Sequence, residues 1–503
     1  MSLALVEDVL AATGPVVIGA VCFGALVVWC FAHRRVDYTL AALGLYLGLL
    51  DGYLKLRTGS PLTTLLRDVL VVAIAAGVLL RALNSRQPLP IPPLGGLVLA
   101  FAAVVFIGLF NPSAPPLAVG FGGARQHLEF VPLFFLGYAF LRQGKQVEKL
   151  LLILVLCASL GGIVSYVQST LTPQEFAAWG PGYSERILGT GGFAGAPRVS
   201  YEDGSIDAVR PFGLGSDLGA GAVAAALALP ALIALLLGSR GRIRLVAIPL
   251  SIGIALAVAT SGTRAALITV GVSTLAFALI AVSARSAARM LVGLAIGSLL
   301  VFGTFQLLGP DNSTTKRAQS IAPTKTLTTF QDERGVSVRR FGEYVSDYPL
   351  GVGVGSSGPA ASAIRGRTRV ERRFDTETEW NFLVVEVGIP GLLIFLVLNL
   401  SLIALALTRI RRLADPVLKL QLAAIAAPLF GLLVAGFAGP TTASVPPAPY
   451  FWLAAGVLSY WLVTAVRHAS PVIARAASPS APVRQSPHPA GMTRPSPQPA
   501  GKR

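Results

Sequence analysis

The sequence predicts an all-α integral membrane protein that crosses the bilayer many times. Of its 503 residues, 53% are hydrophobic and only 13% are charged, and the mean hydropathy is +0.68. A globular chain would carry about 25% charged residues. The apolar residues are also gathered into separate runs, close to the length of about 20 residues that a helix needs to span a bilayer. Together these observations exclude a soluble globular protein.

The apolar runs predict about thirteen transmembrane helices, within a range of about 12–14. They cover residues 15–32, 38–54, 64–83, 91–110, 127–142, 148–169, 214–238, 242–260, 263–284, 287–309, 383–408, 417–438 and 450–467.

Every second connection between these runs is short and basic, for example HRRVD, SRGRIR and TRIRRLADPVLK. With the C-terminal tail, these segments hold about 22 Lys and Arg against the acids Asp37, Glu148 and Asp415. Lys and Arg concentrate in cytoplasmic loops. We therefore expect the N-terminus outside and the C-terminus in the cytoplasm. The net charge of +17 then reflects topology, and nucleic-acid binding is not indicated.

This topology predicts a transmembrane domain over residues 1–468 with outer loops at about 111–126, 170–213 and 310–380. The third loop precedes the last three helices. Because loops longer than about 15 residues are usually functional or disordered, and this one carries aromatic, glycine-rich and charged stretches, we expect an ordered active-site element. The basic, Pro/Ser/Ala-rich tail 469–503 predicts disorder in the cytoplasm.

The chain offers no metal-ligand spacing. Cys22, Cys30 and Cys157 all lie in apolar runs, and the four histidines are scattered. The acidic stretch YEDGSID at 201–207 could hold a cation, although an exposed acidic loop is the commoner outcome. We expect neither a metal nor a cofactor.

Two arginines stand at predicted outer helix ends. Arg264 lies in ATSGTRAALITV, and Arg210 opens RPFGLGSDLGAGA. Arginine within a membrane is costly and therefore a functional candidate, and guanidinium pairs bidentately with phosphate oxygens. The two would suit a diphosphate. The alternatives are a snorkelling arginine at 264 and an ordinary loop arginine at 210.

The third outer loop contains RRFGEYVSDYPLGVGVGSSG, with Arg339 and Arg340 at its start. Its GVGVG run lacks the GK[ST] ending of a nucleotide loop and is typical of a flexible or close-approach turn. Glu377 and Glu379 precede the next apolar run. Either could be a general base, and helix capping is the alternative. The arginine-rich run 365–373 could face lipid headgroups or simply solvent, and GARQHLEF (Arg125, His127, Glu129) is a further polar cluster.

In order and spacing, RPFG, SGTRAAL, RRFGEYVSDYPLGVGVG and ETEWNFLVVEVGIPGLL resemble the O-antigen ligase and O-antigen polymerase superfamily over about residues 95–440. The resemblance implies a membrane glycosyltransferase on the outer face of the bacterial plasma membrane. It would take a glycan from a polyprenyl diphosphate, without metal or nucleotide. Arg264 and Arg210 match arginines implied to hold the diphosphate, and Arg340 matches the arginine ahead of the family's Pro-Leu-Gly-x-Gly loop.

Asn381, Glu386, Gly388 and Gly391 match the family's His-Asn…Glu-x-Gly-x-x-Gly run, but Trp380 stands where ligases have histidine. This departure favours a polymerase over a ligase and makes Glu379 the candidate base. The predicted catalytic residues are Arg210, Arg264 and Glu379. The predicted substrate-binding residues are Arg125, His127, Arg339, Arg340, Glu377 and Asn381.

The sequence therefore predicts an enzyme that polymerises or transfers a lipid-linked glycan in envelope or exported polysaccharide biosynthesis. Its expected partners are a polyprenyl-diphosphate glycan donor, a glycan acceptor and membrane lipids, with flippase and chain-length-control proteins as further candidates. An O-antigen ligase proper, and a lipid-linked glycan flippase or polysaccharide exporter, are the alternatives. The flippase would need polar residues along a path, for which Asp51, Arg67, Asp68 and Asp217 are the main candidates.

Overall fold

The structure, a computed structural model, describes residues 3–60, 62–86, 90–188, 210–260, 263–281, 335–358, 374 and 376–465. All regular secondary structure in these residues is helical. The α-helices are α1 (Leu3–Ala32), α2 (Val36–Leu45), α3 (Asp51–Thr58), α4 (Leu62–Ser85), α5 (Gly95–Gly108), α6 (Leu117–Leu128), α7 (Val131–Phe140), α8 (Gly144–Ser169), α9 (Pro173–Ala177), α10 (Pro181–Leu188), α11 (Ala220–Gly238), α12 (Arg242–Thr260), α13 (Arg264–Ala281), α14 (Gly335–Asp347), α15 (Glu379–Arg409), α16 (Pro416–Ala435) and α17 (Pro447–Ser459).

Seven helical stretches in the described part are long and apolar enough to cross a bilayer. They are Val36–Thr58, Leu62–Ser85, Gly144–Ser169, Ala220–Gly238, Arg242–Thr260, Glu379–Arg412 and Pro416–Ala435. Each overlaps a run predicted from the sequence, and the multi-pass, all-helical prediction is confirmed. The count of about thirteen stays a prediction.

Several predicted spans and loops differ in the structure. The run 127–142 is divided between α6 and α7, which break at Glu129 and Phe130, with Pro132 in the first turn of α7. Most of the predicted outer loop 111–126 is therefore helical, and the loop 170–213 carries α9 and α10. The predicted span 287–309, residues 189–209, the greater part of loop 310–380 and the tail from 466 lie outside the described residues.

Helices approach closely where glycine removes the side chain. An ideal Cβ on Gly162 of α8 would lie 1.8 Å from the carbonyl oxygen of Gly253 on α12. Membrane helices usually pack through such contacts between small residues, because apolar side chains gain no hydrophobic free energy when they move from lipid into a helix interface. They hold α8 and α12 against each other.

Helix α15 is broken at Gly388, whose φ of 67° is left-handed. The break leaves backbone groups without helical partners, and the segment 349–358 supplies them. Val352 N–H donates to the Val385 carbonyl at 2.7 Å, and Ile389 N–H donates to the Pro349 carbonyl at 2.9 Å. Irregular backbone at membrane depth is tolerated only where protein satisfies it in this way. The GVGVG run is thus a buried packing element, as the close-approach interpretation predicted.

The helix ends meet in two groups that match the predicted topology. At what we call the basic end, the Arg81 guanidinium donates to the Phe31 carbonyl at 2.6 Å, and Trp461 donates to the Leu141 carbonyl at 3.0 Å. At what we call the ion-pair end, Arg67 meets Glu129 at 2.8 Å. The contacts thereby join predicted inner ends to inner ends and outer ends to outer ends. Which end faces the cytoplasm stays a prediction.

Candidate functional site

The loop that Arg210 opens is folded tightly against α8. Phe212 and Gly213 donate their N–H groups to the Gln168 side-chain oxygen at 2.9 and 2.7 Å, and Gln168 returns a bond to the Gly213 carbonyl at 2.9 Å. All three partners are buried. This clamp fixes the entry into α11, and Arg210 lies directly before it.

The start of α13 lies beside the start of α11. A Cβ on Gly219, the residue before α11, would lie 2.3 Å from the Thr263 hydroxyl, and α13 begins at Arg264. The Gly219 N–H also donates to the Pro211 carbonyl at 2.9 Å. The structure therefore brings the start of α13, which carries Arg264, close to the start of α11 and to the loop that Arg210 opens. The Arg264 side chain lies outside the described part of the structure.

Next to this pair of helix starts is a network of buried charges. The Arg67 guanidinium is 2.8 Å from Glu129, 3.5 Å from Asp51 and 3.7 Å from Asp68. It joins α4, the start of α3 and the α6–α7 break. Buried ionisable residues in a membrane protein are candidates for function by default.

Arg125, a predicted substrate-binding residue, is a member of this network. Its Nε and Nη2 meet the two oxygens of Asp68 at 2.5 and 3.1 Å, and Nη2 also donates to the Thr64 carbonyl at 3.1 Å. Glu129 is 3.4 Å away. These contacts use much of the guanidinium, and about a third of the side chain remains exposed.

His127, predicted from the same cluster, points elsewhere. Its Nε2 is 3.0 Å from the Glu386 carboxylate, and both side chains are fully buried. The other Glu386 oxygen accepts from the Ser357 N–H at 2.9 Å and from its hydroxyl at 3.3 Å. The imidazole also stacks on Phe382, with ring centroids 4.8 Å apart. This pair ties α6 to α15 and to the segment 349–358, and its burial favours a positioning role for His127.

Glu379, the predicted base, is buried at the start of α15. One of its oxygens accepts from the Thr442 hydroxyl, and the other from the N–H groups of Thr441 and Thr442 and the Thr441 hydroxyl. Its own N–H donates to the Gly436 carbonyl at 2.7 Å. These contacts anchor α15 to the α16–α17 connection. Because both of its oxygens accept hydrogen bonds from the protein, Glu379 has the contacts of a structural residue rather than those of a general base that substrate could reach.

The other predicted site residues lie around α14. The buried Asn381 donates to the Ser337 carbonyl at 2.6 Å and so fixes α14 against α15. Arg339, Arg340 and Glu377 are exposed. The structure thus divides the predicted set into exposed residues beside α14, a buried anchor at Glu379, and the arginine-bearing helix starts.

A largely apolar cavity of about 140 Å³ lies below the clamped loop, between α2, α8, α11 and α17. Leucines and small residues form most of its wall. Its polar lining includes Asp51 and Ser216, and Ala220 and Gly221 at the start of α11 also face it. An amphipathic ligand could place an apolar chain in this cavity with its polar head at the ion-pair end.

Residues 249–396 match a family model described as O-antigen ligase. The match runs from the middle of α12 to the first half of α15. The match supports membership of the O-antigen ligase superfamily and covers a little under a third of the chain. The family match implies a membrane enzyme that transfers glycans and uses lipid-linked glycan substrates. No curated protein is found to match the chain.

Sequence reasoning missed several residues that build the candidate site. Gln168, Ser357, Thr441 and Thr442 are ordinary polar residues of helix ends and loops, and nothing in the sequence separates them from others. Asp51 and Arg67 did carry a signal, because each is a charge inside an apolar run. The sequence could not show that they pair.

Proposed function

We propose that the protein is a metal-independent glycosyltransferase that acts on a polyprenyl-diphosphate-linked glycan at the outer face of the bacterial plasma membrane. It would polymerise the glycan, or transfer it, during synthesis of an envelope or exported polysaccharide. The observation that carries the proposal is the O-antigen ligase match over 249–396, which spans Arg264 and the segment 335–358.

The helix starts of α11 and α13 supply the donor site. Arg210 and Arg264 would hold the diphosphate, because their guanidinium groups can bind its oxygens bidentately. The positive end of the helix dipole at a helix start favours the same anion. Charge that develops on the leaving diphosphate would be stabilised by these fixed groups. The apolar cavity beside them supports a lipid-linked donor.

Polymerisation rather than ligation is favoured by Trp380. Trp380 stands at the position where ligases have histidine, and its ring packs on Phe437 with ring centroids 5.5 Å apart. The base would therefore be a carboxylate. Glu379 is the candidate from sequence, and Arg125, Arg339, Arg340, Glu377 and Asn381 remain candidates for contacts with the glycans.

A flippase is the rival proposal, and the charge network does not favour it. Among the described residues Asp51, Arg67 and Asp68 pair with one another and with neighbours at one end of the helices. A transport path would need polar groups along the depth of the membrane.

The test uses the purified full chain in proteoliposomes with lipid-linked oligosaccharide extracted from the organism that makes it. We expect longer saccharides on the lipid, without added metal or nucleotide, resolved by gel electrophoresis. One transfer to a non-lipid or lipid A acceptor would instead identify a ligase. Movement of the lipid between leaflets with no new glycosidic bond would overturn the proposal in favour of a flippase.

A further inference from the structure

Five carboxyl groups lie in or beside the candidate site, and they differ in whether both of their oxygens have a hydrogen-bond donor. They are Asp51, Asp68, Glu129, Glu379 and Glu386. In three of them both oxygens meet a donor among the described residues: Asp68 meets Arg125, Glu379 meets threonines, and Glu386 meets His127 and Ser357. Glu129 meets Arg67 through one oxygen at 2.8 Å, while its other oxygen makes no hydrogen bond and lies 3.4 Å from Arg125. A general base needs a lone pair that can reach its substrate.

Asp51 differs from the other four because it alone among them lines the apolar cavity, and from Glu129 because no second arginine lies beside its free oxygen. Its Oδ2 is 3.5 Å from Arg67, but its Oδ1 has no hydrogen-bond partner in the described part of the chain. The side chain is only 2% exposed, and Asp51 lines the apolar cavity. A buried polar oxygen without a partner is costly, and in native structures such an atom calls for an explanation.

The position of Asp51 relates it to the donor site. A Cβ on the neighbouring Gly52 would lie 2.4 Å from the carbonyl oxygen of Leu214, inside the loop that Arg210 opens. Ser216 of that loop and the first residues of α11 line the same cavity. Asp51 thus lines a space that also borders the start of α11, where we place the donor diphosphate.

Two cationic side chains lie near Asp51. Arg67 holds one oxygen, and Lys55 lies one helical turn further along α3. Arg67 would also fix the orientation of the carboxylate, because its guanidinium is itself held by Glu129 at 2.8 Å.

We propose that Asp51, rather than Glu379, accepts the proton of the acceptor hydroxyl. This inference rests on the proposed function. The acceptor O–H bond breaks and its proton moves to Oδ1 of Asp51, while the acceptor oxygen forms a bond to the anomeric carbon of the donor glycan. The bond from that carbon to the diphosphate oxygen breaks, and the diphosphate leaves with the electron pair. No metal, oxidant or other co-reactant is needed.

The test compares Asp51→Asn with the wild type, using the same lipid-linked oligosaccharide as donor and acceptor. The amide keeps the size and one acceptor oxygen for Arg67, but it cannot take the proton. We expect the transfer rate to fall about 10²–10⁴-fold, while binding of the donor, measured by intrinsic tryptophan fluorescence, stays within about threefold of the wild type.

Asp68→Asn is the matched control, because Asp68 belongs to the same network but has both oxygens on Arg125. We expect its transfer rate to fall by less than about tenfold. Equal losses in the two variants would reduce Asp51 to a structural member of the network, and an active Asp51→Asn would overturn the inference directly. If the wild type itself transfers no glycan, the proposed function has failed, and that outcome differs from both.

Discussion

The two ends of the helices use most of their arginines in different ways; the exceptions are Arg35, which pairs with Asp37 at the basic end at 3.3 Å, and Arg57, which donates to the Trp179 carbonyl near the ion-pair end. At the basic end, Arg81, Arg142, Arg409 and Arg411 donate to backbone carbonyls at 2.6, 3.2, 2.7 and 3.0 Å. Three of those carbonyls, of Phe31, Tyr138 and Leu279, lie near the last turn of a helix. At the ion-pair end, Arg67, Arg125 and Arg186 meet carboxylates at 2.8, 2.5 and 2.7 Å.

The difference indicates that the arginines of the basic end hold the helices in the membrane, whereas those of the ion-pair end serve binding or catalysis. An arginine on the carbonyl end of a helix offsets the helix dipole and needs no acid, which suits a boundary with the cytoplasm. Buried arginines paired with acids are expensive to desolvate and contribute little net stability. Such a network is explained more readily by a role in binding or catalysis. The candidate site lies at the end where the pairs are.

The comparison between the two ends would fail if the basic end lay outside the cell and the ion-pair end in the cytoplasm. We expect topology reporters fused at Ser205 and Gly358 to be active only outside, and those at Arg242 and Arg411 only in the cytoplasm. Alkaline phosphatase and green fluorescent protein fusions at each position measure this. An outside signal at Arg411 would reverse the topology and remove the proposed active-site face.

Arg264 should be the arginine most sensitive to a change that keeps its charge. Lysine cannot reproduce a bidentate contact with a diphosphate, so we expect Arg264→Lys to lower the transfer rate by about 10²–10³-fold, the range seen when one preorganised charge-stabilising donor is removed. Arg210→Lys should behave alike.

Arg411→Lys provides the matched control from the basic end, since its contact is with the Leu279 carbonyl at 3.0 Å. We expect it to transfer glycan at nearly the wild-type rate. Arg264→Lys protein with nearly normal activity would make Arg264 an interfacial arginine like those of the basic end.

Glu379 should show the smallest loss of activity and a measurable loss of stability. Glu379→Gln removes charge-assisted hydrogen bonds, each of which contributes about 1.5–3 kcal/mol. We therefore expect a lower free energy of unfolding, followed by thermal unfolding in detergent, with the transfer rate within about tenfold of wild type. The exposed Glu343 on α14 gives a matched Glu343→Gln control. A collapse of transfer with unchanged stability would restore Glu379 as the base.

Much of the fold could be predicted because a membrane helix is a local property. Runs such as 148–169 and 242–260 reach the required length without reference to the rest of the chain, and the structure has helices at both. The α6–α7 break was missed because the apolar run continues across it. The break at Gly388 depends on a partner segment, 349–358, that hydropathy cannot connect to it.

The site was less predictable because its contacts join distant parts of the chain. Arg125, His127 and Glu129 look like one cluster, yet His127 meets Glu386, 259 residues away, and Glu129 meets Arg67. On a helix, residues two apart do not face each other. The sequence therefore identified the polar residues, but in the structure they belong to two separate groups of contacts.

The break in α15 sets the boundaries within which this protein can be recombined with its relatives. Pro349 and Val352 complete the hydrogen bonding of a helix that begins thirty residues later, at Glu379. A chimera that exchanges an outer loop to change the sugar it handles must therefore keep Pro349–Gly358 and α15 from one parent. The interval between Gly358 and Glu379 is the natural place for such an exchange, since it lies between the two elements that must match.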